Sequence, residues 1–261
     1  MVTAFYRAGF EKQGTGSALG WKNCGAASGA MLADQATLGL KNPTPDAFRK
    51  LTGDYSGGLF IGTVGHVLEA HYGVGVTVYD ASDGYTFEAL VADLKRGRFA
   101  VVNGDYDVVP DSLSGQPSFN GLHAEFWHQW TTTGIVVGDP LCDGRMLSTG
   151  HRAPKGYVKY PLSVAREYVN KYDREVPGTG IHAAVMDLKL LKARPVSPAT
   201  NIRSAPTRTS SVIGAFGGTS TIVWGGTVVG EKIGNNGIWY RVWCRSASEI
   251  GYCHSSVVVR I

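Results

Sequence analysis

The sequence predicts an α+β domain over residues 1–190 followed by a small all-β barrel over residues 191–261. Three observations carry this. Helix-period segments fill the chain up to Gly97, and short β-branched and aromatic segments, divided by Gly, Pro and Asp turns, follow. A Pro-rich stretch, KARPVSPATN, then leads as a linker into a run with strand patterns only. With 35 Gly among 261 residues, 43% hydrophobic and 18% charged, the chain is globular and turn-rich rather than disordered.

The elements follow in order. After the glycine-rich lead GFEKQGTGSALGWKN comes CGAASGAMLADQATLG, a small-residue helix with Asn23 as N-cap and Gly39 as terminator. Ala27, Ala30, Met31, Asp34 and Leu38 fall on one side of it. In TPDAFRKLTG, Thr44 caps, Pro45 opens and Gly53 stops a short helix. TVGHVLEAHYG carries Val64, Val67, Leu68 and His71 at helical spacing, and TFEALVADLKRG puts Phe87, Leu90, Val91 and Leu94 on one face. FAVVNGDY, HAEFWHQW, TGIVVGD, GYVKY and IHAAVMDL read as strands, with one more helix in PLSVAREYVNKYDR. A helix-rich half facing a β-rich half leaves a cleft for an active site. Beyond the linker, four or five short strands make a barrel of about 60 residues, a size that folds alone.

Charge is divided unevenly. The net +4 lies wholly after Pro195, where six basic residues face Glu231 and Glu249; the longer part is neutral. A modestly basic appended module suits an anionic polymer and is too weakly charged to imply nucleic acid. No apolar run approaches the roughly 18–20 residues that span a bilayer, and MVTAFYRAGFEKQ lacks the regions of a secretory signal. The expectation is a soluble protein made in a cytosol, without membrane insertion.

Four cysteines, Cys24, Cys142, Cys244 and Cys253, are too few and scattered for a disulfide framework. Cys24 carries the chemical signal. A thiol in the first turn of a helix faces the positive end of its dipole, which favours thiolate; the bland alternative is a small buried hydrophobe. Of seven histidines, His66 and His71 lie on a helix five apart, His151 in a loop, His182 in a later strand and His254 in the barrel. His123 opens a strand after a glycine turn and shares a face with Glu125, Trp127 and Gln129, whereas His128 points the other way. Asp139 closes the next strand, where a hairpin brings it to His123 as the orienting group of a triad; its other reading is a turn residue before Pro140. Cys244 and Cys253 fall out of register for a bridge, with Cys244 opposite about Ile250, unless a bulge at Gly251 shifts the register. Cys142 reads as an unspecialised reduced thiol. Asn103, Asp105 and Asp107 alternate like a calcium loop, but Val108 and Ser114 stand where that loop requires Gly and Glu. No metal and no cofactor is assigned.

NCGAASGAML, RGRFAVVNGDY, NGLHAEFW and VVGDPLCDG, in that order, resemble papain-like cysteine peptidases related to bacteriocin-leader-processing peptidases, especially the peptidase modules of actinobacteriophage lysins. The resemblance covers about residues 5–190. It implies Cys24 as nucleophile, His123 as base and Asp139 as the group orienting it. The Gln that such enzymes carry six residues before the Cys is replaced by Ala18; Gln13 substitutes only if the glycine-rich segment loops. NIRSAPTRTSSVIGAF, GIWYRVWC and GYCHSSVV resemble bacterial SH3-like domains, which tether enzymes to the cell wall, with Trp239, Tyr240 and Tyr252 as a contact surface or as barrel core. Together these imply a peptidoglycan endopeptidase of a bacteriophage, acting free as an endolysin or on a virion tail tip among tail proteins. The alternatives are a catalytically idle wall-binding or tail protein and a peptidase that processes a protein substrate.

Overall fold

The structure is a computed structural model that describes residues 7–18, 20–175, 181–187, 190–218, 220–244, 246–247 and 249–260. Mixed α/β in composition, it holds two antiparallel sheets and divides into two units, Gly9–Ala33 with Asn42–Asp187, and Met1–Ala8 with Asp34–Lys41 and Leu188–Ile261. Among the described residues no helix is long and apolar enough to cross a membrane.

In the larger unit the order is α1 (Cys24–Ala36), α2 (Pro45–Thr52), α3 (Ile61–Tyr72), β1 (Val76–Tyr79), α4 (Phe87–Lys95), β2 (Ala100–Asp105), β3 (Leu122–Thr131), β4 (Gly134–Asp143), β5 (Lys155–Pro161), α5 (Leu162–Glu175) and β6 (Ala183–Met186). Its six strands run in the order β1-β6-β2-β3-β4-β5, so β3, which carries His123, lies in the interior of the sheet. Local signals set both ends of α2 as expected, with Thr44 accepting from the Ala47 N–H and Gly53 stopping the helix at φ 67°; Thr86 likewise caps α4 by accepting from the Ala89 N–H.

Three expectations change. The first concerns α1, which is buried on all sides rather than along one face: Ala26, Ala27, Ser28, Ala30, Met31, Leu32 and Ala33 are all fully buried. Small residues make this possible, since a Cβ on Gly29 would lie 2.5 Å from the Phe48 ring of α2. Second, the structure adds β1; four residues are too short for a period to show in the sequence, and pairing with β6 makes them a strand. The third is that β4 runs on through Asp139 to Asp143 instead of ending there. A register shift between Trp127 and Gln129 also breaks the alternation along β3. In consequence Trp130, three residues on, packs with Trp127 on the core of Tyr160, Tyr168 and Leu90.

In the second unit, β7 (Leu190–Pro195), β8 (Ala199–Arg203), β9 (Val212–Gly217), β10 (Ser220–Ile233), β11 (Asn236–Cys244), β12 (Glu249–His254) and β13 (Val258–Arg260) form one sheet, ordered β13-β7-β10-β11-β12-β8-β9. The stretch expected to be a linker is therefore largely strand. Pro195, which lacks an N–H, ends β7 beyond Leu190–Ala193, the part that pairs with β10, and lies opposite Val258 of β13. Glu231 holds the segment after Arg203: its N–H donates to the Pro206 carbonyl at 2.9 Å, and its carboxylate accepts from the Arg208 N–H and Nε at 2.6 Å each. Trp239 is buried, with its indole N–H on the Glu231 carbonyl, so it belongs to the core and not to a contact surface. Cys244 lies opposite Glu249 and Cys253 opposite Tyr240, and both thiols are free.

Candidate active site

Cys24 is the first residue of α1, with its thiol at the positive end of the helix. Its entry is held by Arg49, which sequence reasoning missed. This arginine is 1% exposed, and its guanidinium donates to Asn23 Oδ1, to the Lys22 carbonyl, and to the carbonyls of Asp54 and Gly57 at 3.1 and 2.9 Å. Asn23 Nδ2 in turn donates to Asp46 Oδ1 at 2.7 Å. The side chain expected to cap α1 thus ties the residue before the nucleophile to α2 and to the loop that follows it.

His123 meets the thiol from β3. Its Nε2 lies 2.9 Å from Asp139 Oδ1, which leaves Nδ1 for the hydrogen bond with Cys24. His123 and Asp139 are buried, whereas Cys24 keeps part of its surface on an open groove of about 260 Å³ lined by Leu59, Phe60, Asn103 and Leu122. Phe60 and Leu122 are 78% and 47% exposed there, so the walls offer apolar contact.

The electrostatics favour an ion pair. Burial pushes the Cys24 thiol up, but the hydrogen bond and charge of His123, with the backbone N–H groups of Ala124 and Gly25, outweigh it and hold the thiol below its usual value. For His123, burial opposes the charged form; hydrogen bonds to Asp139 and Cys24 and their charges win, raising its pKa to about 10. Asp139 stays below the usual carboxylate range in spite of burial, because His123, Tyr106 and the Leu141 N–H all donate to it. Tyr106 is itself fixed by the Gly115 N–H at 2.7 Å.

Cys142 is more than an unspecialised thiol. Its Sγ donates to Asp139 Oδ2 at 3.2 Å, and burial together with that carboxylate pushes its pKa up, so it remains protonated. Tyr168 on α5 donates to the His123 carbonyl at 2.7 Å, and it reaches there because Gly104 on β2 has no Cβ, which would sit 2.1 Å from its ring. Buried Glu125, two residues along from His123, accepts from Tyr160 at 2.7 Å and from Trp127 Nε1 at 3.2 Å. The ligand atoms of His123, Glu125 and Asp139 lie within 4.8 Å of one another, a spacing that a metal ion would also use. Here Asp139 already accepts from His123, Tyr106, the Leu141 N–H and Cys142, and Glu125 from Tyr160 and Trp127, which fits a proton-handling site better.

The remaining candidates lie elsewhere. His66 and His71 are exposed on α3, His128 packs among Phe99, Phe126 and Tyr157, His151 bonds the Ser114 carbonyl, and His254 caps Ser256. The calcium-like aspartates hold a lysine instead: Lys171 lies 3.3 Å from Asp105 and 2.7 Å from Asp107. The glycine-rich segment does loop. A Cβ on Gly20 would meet the backbone of Gln13 and Thr15, and Gln13 is buried, its amide donating to the Trp21 carbonyl three residues before Cys24. Ala18 is exposed.

No family model matches the chain, and no curated protein does. Among solved structures it is similar to a "putative C39-like peptidase from Bacillus anthracis" at 13% identity, covering 71% of this chain and 96% of that one, with a TM-score of 0.46. It is also similar to Ly7917, alone and with "the hydrolyzing product of MDP", at 14% identity over 69% of this chain and 61% of that one, with TM-scores of 0.20 and 0.21. These values assign the chain to no family, and Cys24, His123 and Asp139 carry its functional reading.

Proposed function

We propose that the protein is a papain-like cysteine peptidase that cuts peptide bonds of bacterial peptidoglycan, with residues 191–261 as an SH3-like wall-binding module. The observation that supports it most is the pairing of a helix-borne thiol with a buried imidazole whose far nitrogen is held by Asp139. In the reaction, the Cys24 thiolate attacks the scissile carbonyl carbon and the imidazolium of His123 gives its proton to the leaving amine as the C–N bond breaks. Water then attacks the thioester, His123 takes its proton, and the C–S bond breaks to release the acid and restore the thiol. The Cys24 N–H is one donor to the oxyanion, and Gln13, folded beneath Trp21, is the residue proposed for the second.

Peptidoglycan as substrate rests on the motif resemblances and on the basic C-terminal segment, which suits an anionic wall. The proposed setting is a phage product, free or on a virion. Release of peptides from purified walls, followed by mass spectrometry, tests the reading: wild type releases them and Cys24→Ala does not. Equal release by both would overturn it, and cleavage of protein substrates alone would favour a processing peptidase.

A further inference from the structure

Glu125 is a buried carboxyl in the centre of the site that no step of the proposed reaction uses. Gly138 pairs with Phe126 across β3 and β4, and continuing that register sets Asp139 opposite Glu125. Both side chains then leave the same face of the sheet, and their carboxyl oxygens lie within 4.8 Å of each other and of a His123 ring nitrogen. Two buried carboxyls this close do not both ionise freely, and the better-solvated one keeps the charge. Asp139 accepts from His123, Tyr106, Leu141 and Cys142, whereas Glu125 accepts from Tyr160 and Trp127. The proton therefore goes to Glu125.

We propose that Glu125 is a positioning residue of the Cys24–His123–Asp139 centre: neutral while the thiolate forms, and, once ionised, adding a charge that keeps the proton on His123. This rests on the reading of those three residues as the reacting centre. Below the ionisation of Glu125 the site carries one uncompensated negative charge, from Asp139, beside the thiolate–imidazolium pair, so the thiolate meets no second buried anion. Above it, the new carboxylate faces the imidazolium directly and delays its deprotonation. Among the described residues, the other titratable groups that face Glu125 are Asp139 and Cys142 from β4, Tyr160 from β5 and Tyr168 from α5. On the α4 side, Lys95 lies over Trp130 instead. Burial, first, and then the charge of Asp139 move Glu125 up to about 8, while Cys142, Tyr160 and Tyr168 are all pushed up by burial and stay neutral in that range. Glu125 is thus the group positioned to change the charge next to His123 before His123 itself titrates.

The test compares wild type with Glu125→Gln by two readouts that need no substrate: the pH profile of Cys24 alkylation by iodoacetamide, and the NMR titration of the His123 ring in the full chain. Glu125→Gln leaves the acid limb of alkylation in place and moves the alkaline titration of His123 down by about one pH unit. Identical His123 titrations would overturn the proposal, as would an acid limb that moves together with the alkaline one, the mark of a general structural disturbance. Should Glu125→Gln fold poorly, Tyr160→Phe removes a donor to the Glu125 carboxylate and shifts the Glu125 step upward; a step that stays in place would equally overturn it. Wall digestion by wild type and Cys24→Ala judges the peptidase reading separately, since His123 titrates in either case.

Discussion

At the scale of single residues, Cys24 and His123 stand out in the sequence because one opens a small-residue helix and the other follows a glycine turn, both local events. Asp139 needed one further step, the hairpin, and the strand supplies it although it runs past the residue. Arg49, Tyr106, Tyr168 and Cys142 were not legible as site residues. Arg49 reaches Asn23, Tyr106 reaches Asp139 and Tyr168 reaches His123 across 26, 33 and 45 positions, and no period marks such a contact; Cys142 lies three residues from Asp139 on β4, where simple alternation would put the two on opposite faces. The raised pKa of His123 makes its stabilising contribution complete below about 6.5, the free imidazole value, and lost as pH rises through about 10. That of Asp139, lowered, is present above 3.8 and lost as pH falls below it. Asp139→Asn removes the first of the two partners, Asp139 and Cys24, that raise the His123 pKa. Its deficit in unfolding midpoint against wild type is expected to be greatest from about pH 4 to 6.5 and to shrink towards about pH 10; a deficit independent of pH would show that Asp139 does not hold the imidazolium.

At the scale of elements, helix ends are legible where a cap or glycine acts locally, as at Thr44 and Gly53. Packing was read less well. The all-round burial of α1 follows from its small residues only once α2 and the sheet are known to enclose it, as the Ser28 hydroxyl on the Ala124 carbonyl at 3.0 Å illustrates. The approach of α5 to β2 rests on Gly104. Gly104→Ala would drive a methyl into the Tyr168 ring and loosen its hydrogen bond to the His123 carbonyl. A loss of about 1–3 kcal/mol is expected in urea unfolding, the usual range for overpacking. Arg49→Ala acts on the other side of the site, leaving four acceptors without their donor. At about 1–3 kcal/mol for each acceptor that water does not reach, a fall of about 3 kcal/mol in stability is expected, together with slower alkylation of Cys24; full retention of both would show that the clamp is dispensable.

At the scale of the whole molecule, the sequence divides its charge so that the excess of +4 lies after Pro195. If that excess draws the chain to an anionic wall, co-sedimentation with purified walls weakens from low to high salt, and Lys232→Glu, an exposed change in that segment, weakens it further at low salt. Binding unmoved by either would point to uncharged contacts. Asp34–Lys41 belongs to the same unit as Leu188–Ile261, so point variants test the segment better than a cut at residue 190. By itself the sequence determined the mixed α/β class, the change from helices to strands after Gly97, and the identities of Cys24, His123 and Asp139 as candidates. Those properties follow from periodicity, caps and turns, which act over a few residues. Only the tertiary structure decided that the expected linker is strand, that Trp239 is core, that Gln13 folds under Trp21, and that a second carboxyl stands beside Asp139. Each of these depends on which distant strand or loop supplies the partner, and the free energy of that choice resides in the assembled sheets and core rather than in any local segment.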